Sequence, residues 1–181
     1  MIKSTIVSAL FLCALISCSR EPLPPLAGVW ECDLTLKSEL GGEEGDSGQT
    51  LGYLYTRQRS EYTFNEDGTY TRKVVQAVDR VEFSDAESQD AAAKDYFSQY
   101  FDKTLVFAGE YRQQRTALFL TVDTVQSGAG EPLPYDEFHA LDESVGADRL
   151  YVPYERAGDG LVLGGVAYRA AAGSASEINP Q

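Results

Sequence analysis

Histidine occurs once in these 181 residues, at His139, and cysteine three times, at Cys13, Cys18 and Cys32. A zinc centre needs several His or Cys ligands, so a His-based one is excluded. A Ser-His-Asp triad would have to use His139, and no Gly-x-Ser-x-Gly turn exists to present its nucleophile. Cations are scarce as well: 15 Lys and Arg stand against 28 Asp and Glu, a formal net charge of −13. Such a chain repels phosphate backbones, which excludes nucleic acid as a partner. No Gly-rich phosphate cradle joins a strand to a helix, and no carboxylate pair is marked by its setting for glycoside hydrolysis. The expectation is a protein that is not an enzyme and carries no cofactor, with a hydrolase as the remote alternative. Long apolar runs are also missing. The longest, Thr5 to Ile16, is broken only by Ser8, and about a dozen residues cannot cross a ~30 Å hydrocarbon layer.

What is present is enough apolar material for one packed domain: 43% hydrophobic residues, with aromatics at 11%. Lys3 ahead of the short apolar run is the pattern of a signal peptide over residues 1–17. Its end, Leu15-Ile16-Ser17-Cys18, resembles the lipobox of bacterial lipoproteins. The resemblance implies cleavage before Cys18, a diacylglycerol on the Cys18 sulfur and a fatty acyl group such as palmitate on the new amino group. Several acyl chains, at ~0.8 kcal/mol per buried CH₂, make a lasting membrane anchor. Ser19 follows the cysteine where an Asp would imply inner-membrane retention, so the resemblance implies the outer membrane, facing the periplasm. Cys13 would leave with the signal and Cys18 would carry lipid, so Cys32 has no disulfide partner. It is expected to be buried as a small hydrophobe.

The Pro-rich stretch up to Pro25 reads as a tether over residues 18–25, and the domain as residues 26–170. From Gly28, Trp30, Cys32, Leu34 and Leu36 alternate with Glu31, Asp33, Thr35 and Lys37, the period of a half-buried strand. Residues 38–50, rich in Gly and acid, read as a mobile loop. Leu51 to Phe64 reads as one long strand or two shorter ones, and Asn65-Glu66-Asp67-Gly68 as a hairpin turn into a strand from Thr69 to Phe83. That turn imitates a calcium loop, but Thr63 and Val74 occupy two ligand positions. Ser84 and Glu87 form a capping box, and Ala92, Ala93, Tyr96, Phe97, Tyr100 and Phe101 make an apolar stripe. One inserted helix, about residues 84–103, is the reading, acting as a plug over one end of a sheet or as a lid. Thr104 to Arg112 and Arg115 to Val125 alternate as strands; Phe138 and Leu141 suggest a helical turn. Leu150 to Glu155 and Leu161 to Ala170 form a closing hairpin, with Pro153 at an edge or bulge. Residues 171–181 are small and polar and read as a disordered tail.

Seven to nine antiparallel strands joined by short turns argue for a barrel or a sandwich. Four pieces in order, Gly28-Val29-Trp30, Phe64 to Tyr70, Gly109-Glu110-Tyr111 with Leu118-Phe119-Leu120, and Tyr168-Arg169, resemble the lipocalin-like domain of bacterial lipoproteins, within the calycin group. That resemblance implies an all-β, antiparallel up-and-down lipocalin-like barrel. It makes Trp30 the floor and Arg169 its cation–π cover. Tyr53, Tyr55, Tyr62, Tyr70 and Tyr111 either line an amphipathic cavity or fill the core. The function expected is binding of a small apolar or amphipathic ligand by a membrane-anchored envelope protein. The alternative is a filled barrel that docks an envelope protein partner, which the sequence does not name. A cavity of roughly 300 Å³ or more would favour the first, an exposed apolar helix face the second.

Overall fold

The computed structural model describes residues 23, 25–41, 50–83 and 90–171. The signal segment 1–17, Cys18 with most of the tether, the acidic residues 42–49, the capping box at 84–87 and the tail after Ala171 lie outside the described residues. The strands are β1 (Gly28–Gly41), β2 (Thr50–Phe64), β3 (Thr69–Phe83), β4 (Lys103–Gln113), β5 (Ala117–Ser127), β6 (Leu133–Pro134), β7 (Arg149–Ala157), β8 (Gly160–Leu163) and β9 (Val166–Ala170). Helix α1 (Asp90–Phe101) separates β3 from β4. Helix α2 (Tyr135–Leu141) and a 3₁₀ turn (Glu143–Val145) separate β6 from β7. Each long strand pairs antiparallel with the next, β9 returns to β1, and β6 only borders β5. The result is a closed eight-stranded up-and-down barrel, all-β and lipocalin-like.

One end is sealed by tight turns. In the β2–β3 hairpin, Gly68 takes φ +85°, and the Asp67 carboxylate accepts from the Thr69 N–H at 2.9 Å and from its hydroxyl at 2.6 Å. Those bonds hold the Asp67 carboxyl below the usual carboxylate range. Above this end the floor is an apolar layer in which Trp30, Tyr62, Phe64, Tyr70, Leu118, Leu161 and Tyr168 are buried together. Tyr62 and Phe64 stack with ring centroids 5.4 Å apart, and Tyr168 meets Tyr62 edge-on at 5.5 Å. Leu26 folds beneath them, its carbonyl accepting from Trp30 Nε1 at 2.9 Å.

Both helices sit at the other end, the rim. Ala93 and Phe97 of α1 pack on Leu54, Val78 and Val81, the inner faces of β2 and β3. The Val78 N–H donates to the Asp102 carboxylate at 2.7 Å and fixes the exit of α1. Phe138 of α2 packs on Leu105, Val122 and Val125 of β4 and β5.

Several expectations are corrected. Among the described residues the inserted helix α1 runs Asp90–Phe101, inside the expected 84–103, and the helical turn expected around Phe138 and Leu141 is the two-turn helix α2. The covered stripe of α1 is narrower than the sequence suggests, because Tyr96 and Tyr100 remain exposed at 55% and 67%. Residues 38–41 continue β1 instead of starting a loop. The stretch Leu161 to Ala170 is two strands, broken where Gly164 and Gly165 adopt φ of +57° and +84°. Pro153 is paired with Ala117 of β5 at the last position before β7 turns to β8, whose pairing begins at Tyr154. Proline lacks an N–H, so it suits the place where one ladder ends and the next begins.

Candidate binding site inside the barrel

Period two decides which side chains enter the barrel. On β1, Trp30, Cys32, Leu34 and Leu36 share the inner side, and on β2 Thr56, Gln58, Ser60, Tyr62 and Phe64 do. On β3, Tyr70, Arg72, Val74 and Gln76 complete the inner surface. The floor, the α1 cluster and the α2 cluster are three separate apolar groups. Between them the inward residues are not sealed: Leu34, Gln58, Arg72, Val74 and Gln76 are half-buried, and Leu36 is 43% exposed. A side chain that points inward yet meets solvent lines an opening. The wall supplies a reason, since β1 pairs with β9 only through Trp30 with Ala170 and Glu31 with Arg169. Above that level β9 extends only three residues further, to Val166, while β1 runs on to Gly41.

Arg72 reaches into this interior. Its guanidinium lies 5.3 Å from the Tyr62 ring centroid and 5.9 Å from that of Phe107. Its Nε donates to Ser60 Oγ at a long 3.4 Å, and the Tyr168 hydroxyl also approaches that oxygen, at 3.5 Å. Ser60 is 1% exposed. Among the described residues, no carboxylate lies within ion-pair reach of Arg72. Burial pushes the phenols of Tyr62, Tyr70 and Tyr168 above their ordinary value, and the Arg72 charge draws those of Tyr62 and Tyr70 partly back. Beside Arg72 is a cavity of about 30 Å³ walled by Phe107, Leu120, Val122, Leu150 and, from the rim, Val145 and Ala147. That is room for about one or two waters or the head of a small anion. The rim segment is tied down where the Val122 N–H donates to the Asp148 carbonyl at 2.7 Å and the Tyr135 hydroxyl donates to the Gly146 carbonyl.

The sequence-predicted residues divide. Tyr62 and Tyr70 are buried in the floor and also border the cavity beside Arg72, and Tyr111 lies at the sealed end, its hydroxyl donating to the Asn65 carbonyl at 2.9 Å. Tyr53 and Tyr55 face outward. Lys37 Nζ sits 3.5 Å from the Tyr53 ring centroid and the Arg80 guanidinium 3.8 Å from that of Tyr55, whose hydroxyl donates to Glu82 at 2.9 Å. The structure does not bring them to the interior. Trp30 is in the floor as expected of that position, but Arg169 points outward and pairs with Glu31 at 3.1 Å. Arg156 covers the indole instead, 4.6 Å from its centroid, and donates to the Pro25 carbonyl at 3.2 Å. Parity was the available signal: Arg156 shares the face of Tyr154, and Arg72 that of Tyr70 and Val74. Cys32 is buried and free of any disulfide. Among the described residues no group of three or more His, Cys, Asp or Glu gathers as metal ligands, and no helix is long and apolar enough to cross a membrane.

No protein-family model, curated protein or solved structure matches the chain. The fold places it among closed eight-stranded β-barrels with helices at one rim.

Proposed function

We propose that this protein is a non-enzymatic envelope lipoprotein, anchored through Cys18 to the outer membrane facing the periplasm, whose barrel takes up a small amphipathic molecule. The observation that carries the binding reading is the inner surface between the floor and the two helices. Leu34, Leu36 and Val74 there give an apolar path and Gln58 and Arg72 give polar ends, and solvent reaches all five, with Ser60 buried behind the guanidinium. A barrel built only for rigidity would bury these positions under larger side chains. The enclosed cavity of about 30 Å³ falls far short of a drug-sized pocket, so the occupant lies along the partly open groove, or enters as α2 and the 3₁₀ turn yield. A second reading has its own support: Tyr96 and Tyr100 stand exposed on α1 with ring centroids 5.2 Å apart, a surface suited to a protein partner.

The binding reading is tested by native mass spectrometry of the protein purified from the envelope of its host. A small molecule retained at one copy per chain supports it. A bare chain, combined with no binding in a screen of amphipathic compounds, favours the docking reading. The anchor is tested by feeding a labelled fatty acid: the natural chain takes up label and Cys18→Ser does not, and label persisting in the variant refutes the anchor.

A further inference from the structure

We propose that Arg72, held in place by the buried Ser60 hydroxyl, is the head-group site for a carboxylate, so that the molecule the barrel takes up is a straight-chain monocarboxylate; this rests on the binding reading above. A guanidinium offers five N–H donors in a planar fork matched to two carboxylate oxygens. At Arg72 a single long bond to Ser60 uses one of them, while two ring faces hold the group in place. Outward-facing arginines engage carboxylates, Arg57 with Asp33, Arg80 with Asp79 and Glu82, and Arg169 with Glu31, while the half-buried Arg156 over Trp30 donates to the Pro25 carbonyl. In a chain with 28 acidic residues, Arg72 is a half-buried cation that among the described residues meets neither a carboxylate nor a carbonyl, only the Ser60 hydroxyl.

The surroundings define the rest of the ligand. The buried Ser60 oxygen accepts from Arg72 and is approached by the Tyr168 hydroxyl, so it holds the guanidinium from behind and leaves the terminal nitrogens for an anion. The cavity beside the guanidinium is of head-group size, about 30 Å³. From there the inward faces of Val74, Leu34 and Leu36 lead toward the upper part of β1, which is paired with β2 alone and suits a flexible hydrocarbon tail. A phosphate monoester would bring a second negative charge and a bulkier head, and only one cation is present to meet it.

The test uses the full chain carrying Cys18→Ser, titrated by calorimetry with octanoate and, separately, with octan-1-ol, which has the same tail without the charge. Octanoate is expected to bind at one per chain and at least 10-fold tighter than the alcohol. Arg72→Leu should weaken octanoate by roughly 10- to 100-fold, the range for losing a charge-assisted hydrogen-bonded partner, and weaken the alcohol far less, so that the acid-to-alcohol ratio collapses. Arg72→Lys, which keeps the charge but loses the fork, should fall between. If octanoate and octanol bind alike, the carboxylate site is wrong although the barrel still binds amphiphiles. If neither binds, the binding reading itself fails and the head-group site with it. Should Arg72→Leu lose its cooperative unfolding transition, the acid-to-alcohol ratio in the unmodified barrel and in Arg72→Lys decides.

Discussion

Barrel closure between β4 and β5 depends on one glycine, and the structure allows its replacement to be worked through. Gly109 faces Tyr70 of β3 on one side and Val122 of β5 on the other, at the point where the β4–β5 register shifts around Asp123. A Cβ added there would lie 1.8 Å from the Thr121 carbonyl oxygen and 2.9 Å from its carbonyl carbon, whereas ordinary contact begins at 3.4 Å. The obstacle is backbone, so no rotamer change relieves it; the two strands must part across a ladder of nine pairs. Overpacking a side chain costs about 1–3 kcal/mol, and a backbone obstacle puts Gly109→Ala at or above the upper end, about 3 kcal/mol. For a chain of this size that lowers Tm by roughly 6–12 °C. Gly41→Ala is the matched control, since nothing lies within 4 Å of its added Cβ and its φ is not positive. It should be neutral or slightly stabilising through lost freedom in the unfolded chain. Urea and thermal unfolding followed by the fluorescence of Trp30, the only tryptophan, would measure both. Equal midpoints for the two variants would refute the close approach of β4 and β5.

Two further outcomes follow from the floor. Arg156→Ala should cost about 1–2 kcal/mol, because it removes the cation over Trp30 and the donor to Pro25, and should shift the Trp30 emission; Arg169→Ala, at the exposed pair with Glu31, should leave both stability and emission unchanged. Burial raises the phenol pKa values of Tyr62, Tyr70 and Tyr168 above their ordinary 10. The native chain therefore holds these protons where the unfolded chain releases them, so stability is flat below that value and declines as pH climbs beyond it. Absorbance titration should show these three phenolates emerging only together with loss of the sheet signal in circular dichroism, and their ionisation in an intact barrel would contradict their burial.

The barrel was legible because its core-facing residues alternate cleanly in two places, Trp30 to Leu36 and Leu118 to Val122, and because Asn65 to Gly68 can do little but turn. The same alternation held more than the reading drew from it. Tyr62 and Phe64 fix the inner parity of β2, and an unbroken strand back to Thr50 sends Tyr53 and Tyr55 outside; allowing two shorter strands there removed that constraint. Arg169 follows Tyr168 by one residue and so cannot share its face; a family pattern outweighed the parity. The site's central residue, Arg72, was hidden for a different reason. A charged side chain among Thr71, Lys73 and Thr69 looks like solvent-facing polarity, although its parity with Tyr70 and Val74 and its pairing with Phe107 across β3 and β4 turn it inward. Helix α2 is seven residues long, too short for any helical period to establish itself.

The entry of the chain beneath Trp30 has an orientational consequence. Pro25 and Leu26 are fastened to Arg156 and to the indole at the shut end, so any attachment upstream pulls on the barrel from its base. A lipid at position 18 would then stand the molecule on its sealed foot, with the two helices and the gap beside β1 turned toward the compartment it samples rather than toward the bilayer that holds it.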